Sequence, residues 1–179
     1  MDHSSTRPKD HVERILAEWR QEFPDLATAP MGVIGRVRRL STFFLRGMEE
    51  TWAKFDLNVA GFDVLSTLLR AGPPYSLSPG ELLTSTMVTS GTMTHRIDQL
   101  ERAGLVVRRA NRDDGRSVLI ALTDRGRKLI EQALVAHVET QARLIGTLTP
   151  AEQDTLAALL KKMLADFEAP KPGKRAPAP

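Results

Sequence analysis

Apolar residues recur at spacings of three and four along most of this chain, and the breaks in that rhythm mark turns. Residues 10–22, DHVERILAEWRQE, place Val12, Ile15, Leu16 and Trp19 on one helical face, and FPDLATAP ends that helix. From Met31 a long second helix carries Val33, Ile34, Val37, Leu40, Phe44, Leu45, Met48 and Trp52, a stripe too broad for a lone surface helix. Asn58 predicts an N-cap for VAGFDVLSTLLRA, with Phe62, Leu65, Leu68 and Leu69 inward and Gly72 as its stop. GPPYSL reads as a turn. In SPGE, Ser78 caps, Pro79 takes the first helical position and Glu81 reaches back, which opens a short helix PGELLTST.

The stretch TSGTMTHRIDQLERAGLVVRRANRDDGRSVLIALT, residues 89–123, changes character twice. Its helical part ends at Gly104. The second half of that helix carries Ile97, Leu100 and Ala103 at core-seating spacing, whereas the first half is small, polar and hydroxyl-rich, with Met93 its one strongly apolar residue. LVVRRA and SVLIALT are short extended runs joined by NRDDGR, which predicts a β-hairpin with a charged Asp-Gly tip. Thr123 caps a further helix, DRGRKLIEQALVAHVETQARLIG. TPAE at residues 149–152 is a second capping box, before a last helix with Leu156, Leu159, Leu160, Met163, Leu164 and Phe167 on one stripe. The expected fold is mainly α with a small β-hairpin wing. Residues 1–9 and the Pro-rich, basic 169–179 are expected to be disordered.

Composition narrows the function. Among 179 residues 41% are apolar, ordinary for a globular chain, and no run of about 18 apolar residues suggests a membrane span. MDHSSTRPKD lacks the apolar stretch of a secretory signal, so a cytoplasmic protein is expected, with no membrane partner. The chain has no cysteine, which excludes disulfides and thiolate metal sites, and its four histidines lack ligand spacing, so no metal is expected. Net charge is +3, but residues 86–128 hold nine Lys and Arg against five Asp and Glu, so the basic excess concentrates around the hairpin. Such a local surface suits a polyanion.

A helix, a short helix, a second helix and a hairpin in this order form a winged helix-turn-helix, whose second helix enters the DNA major groove with its N-terminal residues leading. That gives the small polar helix tip a purpose. Hydroxyls, backbone N–H groups and the positive helix end all suit phosphate oxygens. The candidate DNA contacts are Thr89, Ser90, Thr92, Thr94 and His95, joined by Arg112 and Arg116 on the wing tip. An Arg there suits the negative potential of a narrow minor groove, and Asp114 can hold Arg116 extended. Ser90, His95 and Asp98 do not make a catalytic triad, because one short helical stretch cannot present nucleophile, base and orienter in line. No phosphate loop or dinucleotide pattern is present, so no enzyme activity and no cofactor is expected.

FDVLSTLLRAG, RIDQLERAGLV and DDGRSVLIALTDRG, with the flanking helices, resemble the MarR family of bacterial transcriptional regulators over roughly residues 31–167. That resemblance implies a homodimer built by the terminal helices and a palindromic double-stranded DNA operator. It divides the chain into 10–57 (dimerisation and ligand pocket), 58–122 (DNA-binding unit) and 123–168 (dimerisation). ILAEWRQEFPDLATAPMGVIGRVRRLS is similar to the N-terminal extension of the urate-responsive branch, the PecS- and HucR-like regulators. This similarity implies a repressor released by a small-molecule effector, urate or a related purine, held by Trp19, Asp63, Arg96 and Arg108. An indole stacks on a flat purine, arginines pair with its charge, and a carboxylate accepts from its ring N–H. Without ligand, Asp63 and Arg96 can pair directly. Gly61 departs from the branch, where relatives often carry a larger polar residue. A regulator of the same type answering a phenolic or aromatic compound, and a winged-helix module that binds only proteins, remain as alternatives.

Overall fold

The computed structural model describes residues 8–87, 93–111 and 117–169, and the chain divides into two compact units between Thr140 and Gln141. In the first unit, helix α1 (His11–Glu22) is capped by Asp10, whose carboxylate accepts from the Glu13 N–H while Glu13 returns to the Asp10 N–H. Asp10 is therefore the cap and not the first helical residue. Val12 and Leu16 are buried against helix α2 (Ala29–Trp52), whereas Ile15 and Trp19, expected on the same face, are each 37% exposed. The seam depends on two glycines. A Cβ on Gly35 would lie 3.2 Å from Val12 Cγ1, and one on Gly32 would lie 3.3 Å from Leu16 Cδ1. Arg36 closes the seam by donating to the Asp10 carboxylate at 2.8 Å, an exposed pair of small energetic weight.

Helix α2 begins two residues before the expected Met31. It buries Trp52 and half-buries Phe44 and Met48, but leaves Val33, Ile34, Val37, Leu40 and Leu45 exposed. A single 3-10 turn follows, and Asp56 reverses the chain in the left-handed region, φ 55°. Asn58 then caps helix α3 (Val59–Arg70), its side-chain oxygen accepting from the Gly61 N–H at 2.8 Å.

The core forms where α3, the short helix α4 (Pro79–Ser85), helix α5 (Met93–Arg102) and a small sheet converge. Val64, Leu65, Leu68, Leu82 and Ile120 have no exposure, and Ile97 and Val106 have 2%. Burial of each such side chain stabilises by about 1.5–3 kcal/mol. Strand β2 (Val106–Ala110) pairs antiparallel with β3 (Val118–Leu122), as expected of the hairpin. The sheet has a third member, β1 (Ser76–Leu77), giving the order β1-β3-β2. Those two residues lie inside GPPYSL, expected as turn only. Tyr75 adopts φ 59° and its carbonyl accepts from the Leu122 N–H at 3.1 Å, which sets Ser76 opposite Ala121. Two residues are too few for an alternating pattern to show in sequence.

Helix α6 (Asp124–Leu144) starts hard against the end of α5. Thr123 Oγ1 accepts from the Gly126 N–H at 2.9 Å and donates to the Gly104 carbonyl at 2.8 Å. Further along α6, His137 packs on the end of α2 and on α3. Its ring centroid lies 5.6 Å from buried Trp52 and 4.6 Å from Phe62, and Trp52 Nε1 donates to His137 Nδ1 at 3.2 Å. Burial pushes the His137 imidazole below its ordinary pKa. The Thr51 and Thr140 hydroxyls meet 2.8 Å apart beside it.

In the second unit, helix α7 (Pro150–Glu168) opens with the expected capping box of Thr149 and Glu152. Leu156, Leu159, Leu160, Met163, Leu164 and Phe167 are exposed. Among the described residues no helix is long and apolar enough to cross a membrane.

Candidate nucleic-acid interface

Helix α5 divides as its sequence predicts. Met93, Ile97 and Leu100 are buried and pin the helix to the core, while Thr94 and His95 are exposed. Thr89, Ser90 and Thr92 ahead of it, and Arg112 and Arg116 on the wing tip, lie outside the described residues. The hairpin is closed just below its tip. The Asn111 N–H donates to the Ser117 carbonyl at 3.0 Å, and the Asn111 amide donates to the Ser117 hydroxyl at 2.9 Å.

Ionic and polar contacts hold α5 from several sides. At its approach, the Asp63 carboxylate of α3 accepts from the Met87 N–H at 2.9 Å, and Arg70 Nη2 donates to the Ser85 carbonyl at 2.7 Å. These two residues of one helix fix the segment that leaves α4. On its flank, Arg108 of β2 reaches back to α5. Its Nη2 donates to Asp98 Oδ1 at 2.5 Å, its Nη1 donates to Glu101 Oε2, and its backbone N–H donates to Glu101 Oε1 at 3.2 Å. The bond to Asp98, followed by the charge and hydrogen bonding of Glu101, raises the Arg108 pKa further above its ordinary value. The base of the wing is therefore clamped to α5 by one guanidinium held between two carboxylates. At the end of the helix, Arg125 Nη1 donates to the Ala103 carbonyl at 3.1 Å.

Of the residues expected to hold a ligand, Asp63 holds the Met87 N–H after α4, Arg96 belongs to α5 and Arg108 clamps α5. Trp19 sits on α1 with its ring 5.6 Å from Phe23. Arg96 also lines an open cleft of about 330 Å³ between α5 and the start of α3. Arg96 Nη1 and Thr86 Oγ1 are buried without a hydrogen-bond partner among the described residues.

Residues 55–117 match the MarR family pattern. The chain is 38% identical over 152 residues to the HTH-type transcriptional regulator PecS of Dickeya dadantii, a match that covers 85% of this chain and 92% of PecS. The chain belongs to the MarR family. Like its relatives in that family it is a DNA-binding transcriptional regulator and not an enzyme. A MarR variant from Escherichia coli, solved in complex with operator DNA, superposes with a TM-score of 0.65 at 29% identity, over 82% of this chain and 97% of that one. Bordetella bronchiseptica BpsR, whose DNA binding is regulated by 6-hydroxynicotinic acid, gives 0.64 at 25% identity, over 79% and 95%.

In this MarR-family unit α5 takes the place of the recognition helix, and β2 with β3 makes the wing. Sequence reasoning had found Asp98 only as a rejected triad member and had assigned Glu101 no part. Their common task shows only once β2 folds back beside α5, because Arg108 lies seven and ten residues away in sequence. Asn58 was legible as a cap, but not as one wall of a cleft.

Proposed function

We propose that this protein is a homodimeric repressor that grips a palindromic operator and lets go when a small anionic ligand, urate or a related purine, engages Trp19, Asp63, Arg96 and Arg108. Residues 10–57 and 123–168 supply the pairing surfaces, and 58–122 reads DNA through Thr89, Ser90, Thr92, Thr94, His95, Arg112 and Arg116. The observation that carries the ligand reading is that three of the four residues lie in α5, bond to it, or bond to the segment that leaves α4 ahead of it. Asp63 holds Met87 at its approach, Arg96 is part of it and Arg108 ties the wing to it. A purine anion that recruits the Arg108 guanidinium competes with Asp98 and Glu101 for the same donors. A ring N–H that donates to Asp63 competes with the Met87 amide. Either exchange removes a restraint from the helix that reads DNA, so a modest differential affinity becomes a shift in operator binding.

BpsR supports a second reading of the same site, because its regulator 6-hydroxynicotinic acid is a planar heteroaromatic acid and not a purine. An operator gel shift on DNA upstream of the chain's own gene, with urate and 6-hydroxynicotinate in separate arms, distinguishes the two. Urate is expected to release the parent protein. Trp19→Phe is expected to bind DNA within about threefold of the parent, a difference under 1 kcal/mol, and both Trp19→Phe and Asp63→Ala are expected to resist urate at whatever operator affinity each retains. Variants that release as readily as the parent remove these residues from the ligand site, and release by 6-hydroxynicotinate alone replaces the purine.

A further inference from the structure

The carbonyl groups at the end of a helix lack intrahelical donors, and a cation complements the negative end of the helix dipole there. Helix α4 has no basic residue in its own last turn. Arg70, the last residue of α3, supplies both the donor and the charge. Its Nη2 donates to the Ser85 carbonyl at 2.7 Å and to the Thr67 hydroxyl at 3.2 Å. Thr67 is buried, so the second bond ties an exposed guanidinium to the body of α3.

The place of the first bond matters more than its strength. The Ser85 carbonyl belongs to the peptide group before Thr86. The Met87 N–H, which donates to Asp63 Oδ2 at 2.9 Å, belongs to the peptide group after it. Peptide groups are planar, so holding both of them fixes φ and ψ of the residue between. At Thr86 the chain leaves α4 for extended backbone, with φ −87° and ψ 153°. Asp63 and Arg70 lie on one face of α3, about two turns apart. Side chains do not hold this stretch. Leu82 is fully buried and Met93 is 5% exposed, but Leu83 is 39% exposed and Met87 97%. Among the described residues the Thr86 hydroxyl has no hydrogen-bond partner. Thr89, the first of the expected DNA contacts, follows Met87 by two residues, a span of at most about 7 Å. The setting of Thr86 therefore limits where those contacts reach.

We propose that Arg70 is a positioning residue for operator recognition. With Asp63 it sets the backbone at Thr86 from which residues 89–95 are aimed, and it does not touch DNA itself. This role rests on DNA being read through residues 89–95 and is independent of any ligand.

Fluorescence anisotropy on the full chain tests it, with the duplex upstream of the chain's own gene and a scrambled duplex of the same length. Sequence-independent binding depends on charge near the phosphates and not on aim. Arg70→Met is expected to weaken the operator duplex about tenfold, to leave the scrambled duplex within about twofold and to leave the salt slope unchanged. Arg70→Lys keeps one donor for the Ser85 carbonyl without the guanidinium fork, and its loss is expected to be about threefold. Thermal melts establish that each variant is folded, and if Arg70→Met is not, Arg70→Lys decides. Parental operator affinity in the deciding variant overturns the proposal. An equal loss on both duplexes also overturns it, and a salt slope lowered by about one assigns Arg70 to a phosphate instead. His95→Ala separates this failure from failure of the DNA reading. If His95→Ala is weakened and the Arg70 variants are not, only the role of Arg70 falls. If His95→Ala binds the operator like the parent, the reading through residues 89–95 falls and takes that role with it.

Discussion

Gly126 shows how much one missing Cβ can matter. In sequence it is a glycine in the first turn of a helix, where alanine ought to improve stability. In the structure a Cβ there would lie 1.9 Å from the Leu105 carbonyl oxygen, and backbone cannot yield as a side-chain tip does. Gly126→Ala is therefore expected to destabilise the fold by about 3 kcal/mol, the upper part of the overpacking range, and calorimetric melting should show a Tm lowered by roughly 10 °C. A melt equal to the parent's would mean that α6 shifts freely at its start. His137 makes the second case. Its Nδ1 accepts from Trp52 and burial lowers its folded pKa below the ordinary 6.5, so as the pH falls the unfolded chain takes up this proton first. The contribution of the neutral ring is whole above pH 6.5 and is lost as the pH drops from there through the lower folded value. Melts at about pH 7.5 and pH 5, either side of the ordinary imidazole value, should show a smaller acid loss in His137→Gln than in the parent. Equal losses would remove this ring from the acid response.

At the scale of elements, the recognition helix is held by attachments that no local pattern reveals. Its apolar stripe seats it, but Arg108 ties the base of the wing to it. The clamp is about one-third exposed, so solvent screening limits its worth. Arg108→Ala is expected to cost about 1 kcal/mol of operator binding, roughly fivefold in affinity, through a loosened wing. Asp98→Ala should cost less, because Arg108 keeps Glu101, and the double variant should cost no more than Arg108→Ala alone, because Asp98 then has no Arg108 to lose. Binding titrations giving additive losses would show that Arg108 acts on DNA independently of Asp98. The seam between α1 and α2 follows the same logic. Val12 and Leu16 were legible as its apolar half, yet the docking depends equally on Gly32 and Gly35, which carry no hydrophobic signal.

For the whole molecule, the unburied apolar surface is the dominant fact. Val33, Ile34 and Val37 on α2, and separately Leu159, Leu164 and Phe167 on α7, are at least 42% exposed. Faces of that kind are the ones the proposed pairing would cover. On the proposed pairing, sedimentation equilibrium should return about twice the 19.8 kDa of one chain. Leu160→Glu should give a monomer with operator affinity reduced more than about tenfold, since two half-sites are then no longer read together. A parental mass for that variant would exclude the α7 stripe from the interface.

The sequence by itself determined the helices, their caps and the winged arrangement, because capping boxes, an Asn cap and a period near 3.6 are local properties written within a few residues. It also located the division of α5 into a seated half and an exposed polar half, since a buried stripe and a polar tip differ in composition. Only the tertiary structure decided that β1 joins the sheet, that Asp63 holds the Met87 N–H after α4, that Arg108 lies between Asp98 and Glu101, and that Arg70 of α3 caps the end of α4. Each of those depends on residues distant in the chain meeting across packed elements, and a side chain's partner in space leaves no periodic trace in the sequence that carries it.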